Sequence, residues 1–138
     1  MKILFDINVL LDLYLARLPW LRDAKAIVQY VVSGSLQGYV ASATFPTLYY
    51  ICRRTTNAHQ ANRVILRTLQ VFEVIPVTRA TIESATQLGG KDFEDDLQIA
   101  SAISGGVDAI VTRDHAGFAH SAIPVLSPAD LLTRLGVP

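Results

Sequence analysis

The stretch "KDFEDDLQIASAISGGVDAIVTRD", Lys91 to Asp114, decides how the rest of the chain is read. Its first part puts Asp92, Glu94, Asp95 and Asp96 into five positions, a third of the 12 acidic residues in a 138-residue chain. An apolar run of helical character follows to Ser104, and Gly105-Gly106 stops it. "DAIVT", Asp108 to Thr112, is then a short apolar run bounded by turn residues, the pattern of a strand buried on both faces. A helix feeding directly into such a strand is the repeating unit of a parallel α/β sheet.

Working outward, the same alternation covers the whole chain. "KILFD" (Lys2–Asp6) reads as the first strand, followed by a helix that Pro19 ends. "RDAKAIVQYVVSG" has helical spacing at Ala24, Ile27, Val28, Val31 and Val32. "GYVAS" is the second strand, a helix from about Thr44 to Arg54 follows, and "NAHQANRVILRTLQ" is a helix capped by Asn57. "FEVIPV" is the third strand and "TRATIESATQL" a helix stopped by Gly89-Gly90. After the acidic helix and "DAIVT" come "IPVLS" as strand five and "SPADLLTRL" as a closing helix, with Ser127 as cap and Pro128 in its first turn. The expectation is one α/β domain over residues 1–138, a parallel five-stranded sheet in the order 3-2-1-4-5 with helices on both faces.

Composition narrows the function classes. The net charge is zero, so any contact with nucleic acid must come from a local patch. Cys52 is the only cysteine, which rules out an intrachain disulfide and fits a reducing cytoplasm. Asp6 and Asp12 interrupt the apolar start, and turn residues break the uncharged stretch 26–52, so the chain reads as soluble.

In an open parallel sheet, functional groups collect beyond the carboxyl ends of the strands. Asp6 ends strand one and Asp114 lies two residues past "DAIVT", so neighbouring strands one and four bring them together. A right-handed crossover puts the start of the acidic helix at the same edge. There Asp92, Asp95 and Asp96, at i, i+3 and i+4, share a face, with Glu94 pointing elsewhere. Carboxylates gathered at one point repel unless a cation neutralises them. An all-oxygen set suits Mg²⁺ or Mn²⁺, ions that also bind phosphate and activate water for phosphodiester hydrolysis.

"LFDINVLLDL", "DFEDDLQIASAISGGVDAIVTRD", Phe118 and "PVLSPADLL", in that order, resemble the PIN domain, closest to the small prokaryotic VapC-type toxins. The resemblance spans essentially the whole chain. It implies a three-layer α/β/α fold and a metal-dependent endoribonuclease that leaves a 5′-phosphate and a 3′-hydroxyl. By position, Asp6, Asp95 and Asp114 match the family's metal-holding, catalytic acids, with Asn8 and Thr112 as polar support. A homodimer and a cognate antitoxin protein are implied as well. One departure stands out: many PIN nucleases carry a Glu in the helix after strand two, and "TFPTLYYICRR" places Thr47 there. A branch of the family with "LYYI" at this point also lacks that Glu and need not be inactive; Asp92 or Asp96 compensates by position, or the chain is a relative that binds RNA or a partner without cutting.

Plainer readings exist for the same residues. Asp92 caps its helix, and Glu94 to Asp96 complement the helix dipole. Asn8 caps the helix after strand one, while Asp12 and Asp23 are solvated helix residues, and His59, His115 and His120 sit on the surface. Arg53, Arg54, Arg63 and Arg67 form a solvated basic face or a track for RNA phosphates. Phosphoryl-transfer folds with an Asp after strand one fit poorly. A haloacid dehalogenase needs Asp at Asn8, and a receiver needs an Asp after strand three, where "IPVTRAT" has none.

Overall fold

The computed structural model describes Met1–Val137. Strand β1 (Lys2–Phe5) leads into helices α1 (Ile7–Tyr14) and α2 (Leu21–Val32), followed by β2 (Gln37–Ala41), α3 (Thr44–Thr55) and α4 (Ala58–Val71). Then come β3 (Glu73–Ile75), α5 (Arg79–Thr86), α6 (Phe93–Ser104), β4 (Ala109–Val111), β5 (Val125–Leu126) and α7 (Pro128–Arg134). All pairings are parallel and the order is β3-β2-β1-β4-β5, as expected. Central β1 lies against β4 with Phe5 opposite Val111, which brings Asp6 and Thr112 to the same edge.

Alternation along the strands divides the core in two. Ile3, Phe5, Val40 and Val111 pack with Leu10, Ile27, Leu48 and Leu131, the inner residues of α1, α2, α3 and α7. Leu4, Ala41 and Ile110 face the other way, under Ile99 and Ala102 of α6 and under Phe118. The result is three layers, α/β/α. Phe72 meets Phe5 edge-on, with centroids 4.9 Å apart. Gly38 makes room for that ring, since a Cβ there would fall 2.7 Å from it.

Side-chain caps start several of the helices, α4 and α7 among them at the residues singled out in the sequence. Asn57 accepts from the Gln60 amide, and Thr78 and Ser127 each form a capping box. The third and fifth strands are shorter than expected, and the first helix differs at both ends. The first helix does not run to Pro19; it ends at Tyr14, and Ala16 at φ 50° turns the chain. Its cap is Asp6, not Asn8, which lies within the first turn.

Asp12 also departs from expectation. It is fully buried on α1, where its carboxylate meets Arg113 in a two-pronged ion pair, at 2.5 Å from Nε and 3.0 Å from Nη2. The Arg113 guanidinium in turn lies 3.8 Å from the Trp20 ring centroid. A carboxylate enters the interior when a bidentate arginine meets it there. Asp12→Ala is expected to lower stability by about 3 kcal/mol, because it strands a partly buried guanidinium. The loss should read as an earlier urea midpoint at unchanged slope; a change below about 1 kcal/mol would contradict this role for the pair.

Candidate functional site

Asp6 sits where β1 turns into α1, and both of its carboxylate oxygens are engaged. Oδ1 accepts the Ile7 amide at 2.8 Å, and Oδ2 accepts the Thr112 hydroxyl at 2.7 Å. That hydroxyl is a hub: it also accepts the Asp114 amide at 3.0 Å and Asn8 Nδ2 at 3.3 Å. Asn8 Oδ1 accepts the Arg113 amide at 3.3 Å, so the polar residues of α1 and of the segment after β4 are tied together.

Asp114 turns back on its own loop, its Oδ1 accepting the Gly117 amide at 3.0 Å. A Cβ built on Gly117 would lie 2.6 Å from Asp114 Oδ2 and 2.6 Å from Asp95 Oδ2. Acids from α6 and from the β4 loop therefore flank a single point that glycine leaves open. Burial raises the Asp6 pKa against its hydrogen bonds to Thr112 and Ile7, and Asp114 adds to the rise. Asp95 is pushed up to about 6, first by burial and then by Asp92, Asp6, Asp114 and Asp96. Every charge acting on Asp95 is another carboxylate, because the one guanidinium next to Asp114 in sequence is spent on Asp12.

A cavity of about 260 Å³ opens beside these acids, bounded by Asp6 and Asp95 and by Thr44, Thr47, Glu94 and Gln98. Two expectations change here. Glu94 does not point elsewhere but lines this cavity. Asp96, placed on the same face as Asp95 in the sequence reading, is buried on another side of α6. Its Oδ2 accepts the Gly90 amide at 3.1 Å and its Oδ1 lies 2.6 Å from His120 Nε2. Asp92 is the α6 cap, accepting the Asp95 amide at 3.1 Å. Thr47 lines the same cavity as Asp6 and Asp95.

Gln98 was missed in the sequence reading. Its Nε2 donates to Thr44 Oγ1 at 2.8 Å, while its Oε1 is the one buried side-chain polar atom without a partner among the described residues. Such an orphan costs about 1–3 kcal/mol until something donates to it. Arg53, Arg54, Arg63 and Arg67 are exposed, and none of them lines the cavity. Arg63 and Arg67 border a separate hollow on α4 with Tyr14.

The donors fit a hard divalent ion in kind, being oxygen-only carboxylates with no cation between them. Among the described residues, no group of three His, Cys, Asp or Glu side chains encloses an ion unaided. Mg²⁺ keeps several waters and takes one or two carboxylates plus substrate phosphate, so Asp95 and Asp114, which converge at Gly117, would be two of its ligands.

Gly117→Ala should weaken Mn²⁺ binding about tenfold or more in a calorimetric titration with the fold intact. Gly117 does not have a left-handed backbone, so the added methyl acts only by parting Asp95 from Asp114. Unchanged affinity would remove Gly117 from the site. A carboxyl that ionises less readily in the folded state contributes stability that is full below its unfolded value, 3.8, and gone once pH rises through about 6. With divalent ions chelated, the unfolding temperature should therefore rise as pH falls from about 7.5 to about 5, and rise less in Asp95→Asn. Equal responses in the two proteins would contradict the repulsion.

A family model described as the PIN domain matches residues 2–116. No curated protein matches the chain. Among solved structures, the chain is similar to a toxin–antitoxin complex from Klebsiella pneumoniae at 26% identity and a TM-score of 0.69, over 91% of this chain and 96% of that one. It shares its fold with FitAcB from Neisseria gonorrhoeae (19%, TM-score 0.71, covering 92% and 98%). It shares it also with VapC20 from Mycobacterium tuberculosis, a sarcin–ricin loop cleaving toxin (17%, TM-score 0.63, covering 78% and 86%). No helix among the described residues is long and apolar enough to cross a membrane. With a matched segment that takes in β1, the acidic helix and the β4 loop, the chain belongs to the PIN domain family.

Proposed function

We propose that this PIN domain is a Mg²⁺- or Mn²⁺-dependent endoribonuclease, the toxin of a toxin–antitoxin pair. The observation that carries it is the meeting of Asp95 and Asp114 at Gly117, beside buried Asp6, with only other carboxylates acting on Asp95. Asp6, Asp95 and Asp114 would hold the ion. When bound, it supplies Lewis acidity and water activation for attack on a phosphodiester.

The chain's own part is orientation. Thr112 and the Ile7 amide fix the Asp6 carboxylate, and the Gly117 amide fixes that of Asp114. Each engaged oxygen keeps a further lone pair for a cation. The Asp12–Arg113 pair commits the guanidinium to Asp12, and what reaches Asp6 of its charge counts for less than the burial that raises the Asp6 pKa. Arg53, Arg54, Arg63 and Arg67 are candidates for phosphates farther along an RNA strand. The likeness to the Klebsiella pneumoniae toxin–antitoxin complex supports an antitoxin partner; a homodimer and a cytoplasmic setting complete the proposal.

A second reading, an RNA- or protein-binding relative that does not cut, draws on Thr47, which lines the cavity of the acids at the position where the resemblance places a Glu in many PIN nucleases. One experiment separates the two. Asp6→Asn keeps the α1 cap, because Asn caps as well as Asp, and should reduce metal-dependent cleavage of an RNA panel by about a hundredfold or more. Equal cleavage by wild type and variant refutes the assignment; binding of the RNA panel by the wild type with no cleavage at any Mg²⁺ or Mn²⁺ concentration favours the second reading.

A further inference from the structure

We infer that the cavity beside Asp6 and Asp95 is a pocket for one unstacked base of single-stranded RNA, and that it selects guanine. This rests on the endoribonuclease reading and adds the substrate feature that the site recognises. At about 260 Å³ the cavity falls just below the range of drug-sized pockets and has room for one planar base, purine or pyrimidine. Phe93 stands on its border, 49% exposed, as an aromatic face for stacking. Ile7, Ala43 and Leu97 supply apolar wall.

The polar groups are one-sided in what they offer. Gln98, 9% exposed, lines the cavity; its amide nitrogen is committed to Thr44, and its Oε1 is a buried acceptor without a partner, which a donor from the base would satisfy. Glu94, one helical turn before Gln98, is a carboxylate that only accepts. The Thr44 and Thr47 hydroxyls adapt to either role. A base bound here must therefore present donors. On its Watson–Crick edge guanine has two adjacent donors, N1–H and N2–H₂. Adenine and cytosine set their amino group beside a ring-nitrogen acceptor, and uracil sets its one N–H between two carbonyls. Asp6 and Asp95 bound the same cavity, so the guanine that enters it adjoins the phosphate to be cut.

The test uses the uncut complex: Asp6→Asn protein titrated with short oligouridines that carry one central G, A or C, followed by fluorescence anisotropy. The G oligonucleotide should bind about tenfold more tightly than the A, C and all-U ones. Glu94→Gln and Gln98→Met, each added to Asp6→Asn, should cut that lead to about threefold or less, and Phe93→Ala should weaken all four alike. Equal binding of the four oligonucleotides, or a guanine lead that survives both substitutions, overturns the inference. Should Gln98→Met not fold, the exposed Glu94 decides alone. Wild-type cleavage is measured in parallel. Cleavage without base preference defeats the pocket and leaves the nuclease standing; guanine preference without metal-dependent cleavage does the reverse.

Discussion

The hydroxyl of Thr112 joins two parts of the chain that are otherwise 106 residues apart, by donating to the Asp6 carboxylate while it accepts the Asp114 amide. It can do so because β1 and β4 are parallel neighbours in a register that leaves Phe5 opposite Val111. The next residue on each strand then falls at the same edge, one an acid and the other a hydroxyl. A slip of one residue would turn the alternating side chains to opposite faces and part them. The two apolar cores that pin the register thus also set the site.

A second constraint is electrostatic. The carboxylates of Asp6, at the end of β1, and Asp114, in the β4 loop, both act on Asp95 of α6, while the guanidinium of Arg113 pairs with Asp12 and lies over Trp20. Had Arg113 reached inward, it would have satisfied the acids internally. Instead the repulsion stays in the folded chain, visible in the raised pKa of Asp95 and held in place by packing elsewhere. The cost is local, and the rest of the domain is organised to bear it.

Much of this was legible in the sequence because it depends on short-range pattern. Apolar runs too short for helices marked the strands, glycine pairs marked the stops, and the rule for parallel crossovers put Asp6, Asp95 and Asp114 at one edge. What stayed hidden depends on partners distant in sequence. Asp12 resembles any solvated helix acid until Arg113, 101 residues later, is found beside it. Within α6 the miss was angular: the cavity takes the stripe Phe93, Glu94, Leu97 and Gln98 along with Asp95, while Asp96 turns toward Gly90 and His120. Helical spacing shows which residues share a face, but not which way that face is turned. Gln98 and Gly117 gave no signal, because an unpartnered oxygen and a missing methyl have meaning only against their neighbours.

The outer strands of the sheet, β3 and β5, have three and two residues. Borders this short offer too few free amides and carbonyls to recruit a strand from another molecule, the means by which proteins shield themselves from edge-to-edge growth. Copies of this chain that meet at high concentration will find no template there for cross-β stacking. Association is left to the helical layers, where contact surfaces are finite and self-limiting.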